Sequence, residues 1–273
     1  IGNPSVPAPR EVGEMIKELV DNTDPVLLHG YTSAPGDMGV RTAIADNINE
    51  EHRADVKPEL IYMTCGAAAS LTISLNAICN AGDEVIIIAP FFPEYRVFIE
   101  KAGAVPVVVK SKAGDLSLDI EAVASAITEK SKAIIINSPN NPSGVIISAE
   151  ELTALSETLT AKQNELGTDI YIIADEPYRK LVYTDKAVPF VTNFYPNTLV
   201  CYSFSKALSL PGERIGYIFI SPTIGDFQSV REAICGAGRS LGFVCAPSML
   251  QRLVARCLGK TADITVYDKN RKL

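Results

Sequence analysis

The stretch TLVCYSFSKALSLPGERIGYIFI, residues 198–220, decides how this chain is read. It opens with an apolar run at 198–202 and closes with a second one at 215–220. Between them stand Ser203-Phe204-Ser205-Lys206 and Pro211-Gly212-Glu213-Arg214. A continuous apolar run, rather than an alternating one, suits a strand covered on both faces. A lysine directly after such a strand is unusual, because most lysines stand on solvated faces. An amine held there suits Schiff-base chemistry, and the guanidinium of Arg214 could reach back to an anion near it, a bidentate fork suiting phosphate. Taken singly, each has a plainer reading: a solvated lysine and a surface ion pair.

Outward from that stretch the same pattern recurs. Apolar, β-branched runs lie at 84–89 (EVIIIA), 105–109 (VPVVV), 133–137 (AIIIN) and 169–174 (DIYIIA). Helical patterns separate them. One, at 67–80, ends at Ala81-Gly82, and one at 91–102 ends at Gly103. A third, at 148–166, begins with Ser148, has Glu151 three residues later, and stops at Gly167. Ser followed by Glu at that spacing is a capping box, and glycine just past a helix is its usual stop. Strands alternating with helices predict an α/β fold: three layers, α/β/α, around a mostly parallel central sheet with right-handed crossovers. No internal repeat or low-complexity segment interrupts it. In such sheets ligands sit at the carboxyl ends of the strands.

The segments next to those ends carry unusual residues. Asn137-Ser138-Pro139-Asn140-Asn141-Pro142-Ser143-Gly144 follows the run AIII, and its two X-Pro bonds imply a rigid backbone that admits cis peptides. Asp175-Glu176-Pro177-Tyr178 follows DIYIIA. A carboxylate at the end of a buried strand needs a cation or a strong donor, unless it merely caps a helix. Thr64-Cys65-Gly66-Ala67-Ala68-Ala69-Ser70 opens a helix with small residues that leave backbone N–H groups available to an anion.

Composition excludes several classes. The chain has 273 residues and a net charge of −7, with no run of like charges, so no nucleic-acid partner is expected. No apolar stretch is long enough to cross a bilayer, and no signal peptide opens the chain, so no membrane association is expected. The six cysteines lie far apart without CxxC pairs, which reads as reduced thiols of a cytoplasmic protein. The two histidines, His29 and His52, have no metal-ligand spacing to cysteine, so no metal is expected. The glycine cluster Gly236-Ala237-Gly238 follows a helical pattern rather than a strand, which argues against a dinucleotide-binding oxidoreductase.

Together, in this order, the motifs YTSAPGDMGVR, TCGAAAS, PFFPEY, NSPNNPSG, DEPY and SFSKALSLPGERIGY resemble the fold-type I aminotransferases of class I and II, the aspartate aminotransferase-like enzymes that use pyridoxal 5′-phosphate (PLP). The resemblance runs from Ile1 to about Tyr217. It implies transfer of an amino group from an L-amino acid to a 2-oxo acid, with Lys206 holding PLP as an aldimine and later shuttling a proton. It implies that Asp175 pairs with the pyridine nitrogen, and that Tyr178 and Asn141 bond the phenolic oxygen. Ser203, Arg214 and the backbone amides of Gly66, Ala67 and Ala68 would bind the phosphate, and Phe92 would stack on the ring. Tyr31 would reach the phosphate held by a second subunit, which implies a homodimer with shared active sites. Gly2 and Asn3 would lie near the substrate, and Arg239 reads as a surface arginine.

The resemblance also implies a layout: an N-terminal segment at 1–23, the PLP-binding large domain at 24–258, and at 259–273 the start of an interdomain helix. The chain begins at Ile1 rather than Met and stops within a polar, helix-like stretch, which reads as a fragment whose small domain lies beyond Leu273. That domain normally supplies the arginine for the substrate α-carboxylate, and no residue here is assigned to it. The amino acid used stays open, with aspartate, aromatic, alanine and methionine substrates all compatible. A PLP-dependent C–S β-lyase or decarboxylase on the same scaffold is the alternative. A non-catalytic PLP-binding module is a further one, disfavoured because Lys206, Asp175, Tyr178 and Asn141 are all present.

Overall fold

A computed structural model describes residues 3–273. Its strands are β1 (Ile61–Thr64), β2 (Glu84–Ala89), β3 (Val105–Lys110), β4 (Ser131–Asn137), β5 (Tyr171–Asp175), β6 (Thr198–Ser203) and β7 (Gly216–Ile220). They form one seven-stranded sheet in the order β1-β7-β6-β5-β4-β2-β3. Pairings from β3 through β6 are all parallel, and β7 runs antiparallel to both β6 and β1. The sheet is therefore mostly parallel, as the uninterrupted apolar runs require. Val85, Ile86 and Ile87 of β2 are wholly buried, as are Ala133 and Ile134 of β4. At the edge, β3 leaves Val105 and Val108 exposed.

The helices are α1 (Glu11–Asn22), α2 (Pro25–His29), α3 (Met38–His52), α4 (Ala67–Ile78), α5 (Glu94–Lys101), α6 (Ile120–Ala126), α7 (Ala149–Leu166), α8 (Phe204–Ala207), α9 (Phe227–Ser240), α10 (Ser248–Arg256) and α11 (Thr265–Arg271). They cover both faces. Cys201 of β6 turns toward α4, its sulfur 3.6 Å from the Ser74 hydroxyl. Its neighbours Val200 and Tyr202 turn to the other face, where they line a cavity with Ile44 and Ile48 of α3. Ends of the chain meet: α1 packs on α10, and Arg256 pairs with Glu18. Ser5 N–H donates to the Tyr267 hydroxyl of α11 at 2.9 Å.

The capping box forms at α7. Ser148 Oγ accepts from Glu151 N–H, Glu151 accepts from Ser148 N–H at 2.8 Å, and Gly167 ends the helix at φ 66°. Two expectations shift. The helix expected at 91–102 begins only at Glu94, because Pro93 has no N–H to donate and so stands at the start of the first turn. Strand β1 was not anticipated: IYMT is too short to read as an apolar run, yet all its residues are buried.

Gly216, at the start of β7, sits where three backbones converge. A Cβ there would run into Tyr202 O and the Cα of Gly66. Gly216→Ala should lower unfolding stability by about 1–3 kcal/mol, the cost of overpacking a tight site. Chemical denaturation measures it, and an unchanged midpoint would show that the approach can relax.

Candidate active site

Register brings the motifs to one edge of the sheet. Asn137 at the end of β4 stands opposite Asp175 at the end of β5, and Asp175 opposite Cys201 near the end of β6. Ser203 stands opposite Gly216, and Gly216 opposite Thr64. Because β7 is antiparallel, its beginning lies beside the endings of β1 and β6. Arg214, which precedes a strand, thus joins residues that follow strands.

Asp175 is 5% exposed. Its Oδ2 accepts from the Tyr95 hydroxyl at 2.6 Å, while Oδ1 is buried and has no partner. Burial pushes this carboxyl up to about 7, against the Tyr95 bond that favours the anion, and the neighbouring Glu176 adds to the rise. Asp175 is also held through its backbone: Asn137 Nδ2 donates to Asp175 O at 2.7 Å, and Asn137 Oδ1 accepts from Asn141 N–H at 2.6 Å. Asn137 thus fixes the loop after β4 to the end of β5. Ser138-Pro139 and Asn141-Pro142 in that loop are both cis.

Tyr178 is half-buried. Burial first, then Asp175, hold the Tyr178 phenol above its ordinary range, with Asn141 opposing them. The Phe92 ring meets Tyr95 edge-on, centroids 5.7 Å apart. Lys206, on α8, shares with Tyr178 and Asn140 a cleft of about 670 Å³ that Asn3 also lines. Gly2 lies outside the described residues. Ser203 caps α8, its Oγ accepting from Ser205 N–H at 3.1 Å and donating to Ser205 Oγ at 2.7 Å.

Arg214 adopts a left-handed backbone, φ 49°, and donates through Nη1 to Pro211 O at 2.9 Å. Its Nη2 stands 3.0 Å from where a Gly66 Cβ would be. Gly66, at φ 89°, is the N-cap of α4, and no side chain caps that helix start. The N–H groups of Ala67 and Ala68 therefore stand beside a guanidinium, an arrangement suited to a phosphate.

So the structure gathers Gly66, Ala67, Ala68, Phe92, Asn141, Asp175, Tyr178, Ser203, Lys206 and Arg214 along one edge. It does not bring Tyr31 to them; that ring is 91% exposed. Arg239 is exposed, as expected. Two contributors went unassigned from sequence, Tyr95 and Asn137, although both lie inside quoted motifs, PFFPEY and NSPNNPSG.

A carboxylate with a bare buried oxygen, a lysine on the same edge and an anion cradle beside it suit a cofactor that has a basic ring nitrogen, a carbonyl and a phosphate. The family model for aminotransferase class I and II matches residues 1–272, and the chain belongs to that family, whose members use pyridoxal phosphate. It is 31% identical to the (5-formylfuran-3-yl)methyl phosphate transaminase of Methanocaldococcus jannaschii, over 100% of this chain and 68% of that protein. To the aspartate aminotransferase of Thermotoga maritima it is 33% identical, over 82% of this chain and 57% of the relative. An amino transferase from Eubacterium rectale superposes with TM-score 0.98 at 51% identity, covering 100% of this chain and 69% of that one. The Thermus thermophilus aspartate aminotransferase gives TM-score 0.83 at 26% identity, covering 66% of its chain. The chain spans about half to two thirds of the length of the curated relatives it matches.

Asp175 makes a prediction for the protein without cofactor. Its folded value of about 7 lies above its ordinary 3.8. Between those values the folded chain keeps a proton that the unfolded chain has released, so stability falls as pH rises. Asp175→Asn should match wild type near pH 4 and exceed it above pH 7 by roughly 2–4 kcal/mol. Urea denaturation at both pH values tests this; a wild-type slope in the variant would place the titration elsewhere.

Proposed function

We propose that this chain carries the cofactor machinery of a PLP-dependent aminotransferase that moves an amino group from an L-amino acid to a 2-oxo acid. The observation that supports it most is the unpartnered, buried Oδ1 of Asp175 on the edge that also carries Lys206 and Arg214. Left alone, that oxygen is a cost. Facing a protonated ring nitrogen, it becomes a binding contact. Bound PLP supplies an electron-withdrawing ring that stabilises negative charge at the substrate α-carbon.

Asp175 would keep the ring nitrogen protonated, and Tyr95 holds the other carboxylate oxygen, leaving Oδ1 free for it. Lys206 would hold the cofactor through Nζ, and the same amine would move the proton at the substrate α-carbon. Tyr178 and Asn141 would take the phenolic oxygen. Ser203, Arg214 and the first amides of α4 take the phosphate, and Phe92 covers a ring face.

The fully exposed Tyr31 supports a homodimer in which that phenol completes the partner's phosphate site. Six free cysteines support a cytoplasmic location. Residues 1–23 then form an N-terminal segment, 24–258 the cofactor domain, and 259–273 the approach to a smaller one. The named relatives are transaminases, so the β-lyase alternative is not favoured.

Lys206→Ala should keep its fold by circular dichroism yet fail to develop the visible absorbance that PLP acquires on the wild-type protein. A full-strength band in that variant would refute the assignment. Turnover should require an added 2-oxo acid; ammonia and pyruvate released without one would indicate a lyase. Asp175→Asn should still take up PLP but lose about 100-fold or more in turnover, and wild-type rates would defeat its role.

A further inference from the structure

Glu176 follows Asp175 directly, just past the end of β5. Asp175 turns toward Tyr95. Glu176, only 3% exposed, lines the cavity of about 70 Å³ on the other face, beside Tyr202, Tyr217 and His52. There Arg179 grips it with a full fork, Nε to Oε2 at 2.6 Å and Nη2 to Oε1 at 2.7 Å. The same guanidinium donates to Val188 O at 3.0 Å and to Pro189 O at 2.9 Å. It also lies over the Phe190 ring, 5.7 Å from its centroid, and that ring stacks on His52 at 4.2 Å.

A buried ion pair adds little net stability over apolar side chains of the same size, because both charges must be stripped of water. What this one adds is rigidity at a particular place. It pins the residue next to Asp175, and it ties the turn containing Tyr178 to the returning segment at 188–189. Tyr178 lies between the two paired residues.

We propose that Glu176 and Arg179 are positioning residues: a clamp on the sheet face opposite the Asp175 carboxyl that sets where Asp175 and Tyr178 stand. Neither touches the cofactor. The proposal rests on the PLP reading above, and it predicts that loosening the clamp harms the site while the sheet survives.

The test titrates PLP into wild type, Arg179→Gln and Arg179→Lys, following visible absorbance, with circular dichroism as the control for folding. Arg179→Gln should bind PLP about 10-fold or more weakly, because sub-ångström misplacement of a binding group is costly. At fixed pH the ratio of its two visible bands should also change, since Asp175 and Tyr178 set the chromophore's protonation. Arg179→Lys, which keeps the charge but not the fork, should recover part of both effects, and it carries the test by the same two readouts if Arg179→Gln does not fold. A folded variant with wild-type affinity and an unchanged band ratio overturns the clamp alone. Failure of the wild-type protein to take up PLP overturns the cofactor reading, and the clamp with it.

Discussion

The buried carboxyl of Asp175 is the constraint around which the candidate site is arranged. A carboxylate at the end of a central strand is far from water, and one hydrogen bond from Tyr95 leaves half of it unsatisfied. Such a group persists only if the surrounding structure holds it firmly. Here Asn137 holds its carbonyl, Tyr95 holds one oxygen, and the parallel strands on both sides hold its backbone. The folded chain thus keeps a destabilised acid in place, with one buried oxygen left free for a hydrogen-bond donor.

Antiparallel β7 is the second organising element. Were it parallel, Arg214 would lie at the far edge of the sheet from Ser203. Reversal places the two side by side, and Gly216 and Gly66 let the backbones of β7, β6 and the α4 start approach closely. Chain direction, not side-chain length, brings the guanidinium to the cradle.

Much of this was legible in the residues. Uninterrupted apolar runs such as EVIIIA and AIIIN announced strands buried on both faces, and Ser148 with Glu151 announced a helix start that the structure reproduces. The loops with unusual chemistry proved to be the ones that converge. What stayed hidden depended on tertiary contact. Strand β1 is short, and only its pairing with β7 identifies it. Tyr95 sits on an amphipathic helix, where an aromatic reads as core packing; its bond to a residue far along the chain has no local signal. Glu176 and Arg179, three apart, look like an exposed helical ion pair and prove to be buried in a turn. Tyr31 was matched from sequence alone, and its ring is 91% exposed.

One feature of α4 reaches beyond its own geometry. Six of the eleven described helices carry a capping side chain, Asp24, Asp37, Asp119, Ser148, Ser203 and Asp226, and α1, α4, α5, α10 and α11 do not. The first turn of α4 has none, so its amide hydrogens must be satisfied from solution. Whatever oxyanion the medium contains, down to the buffer salt, then competes for the same few N–H groups. Any phosphate drawn to that turn would exchange with the anion already there, and its apparent affinity would depend on the ion being displaced.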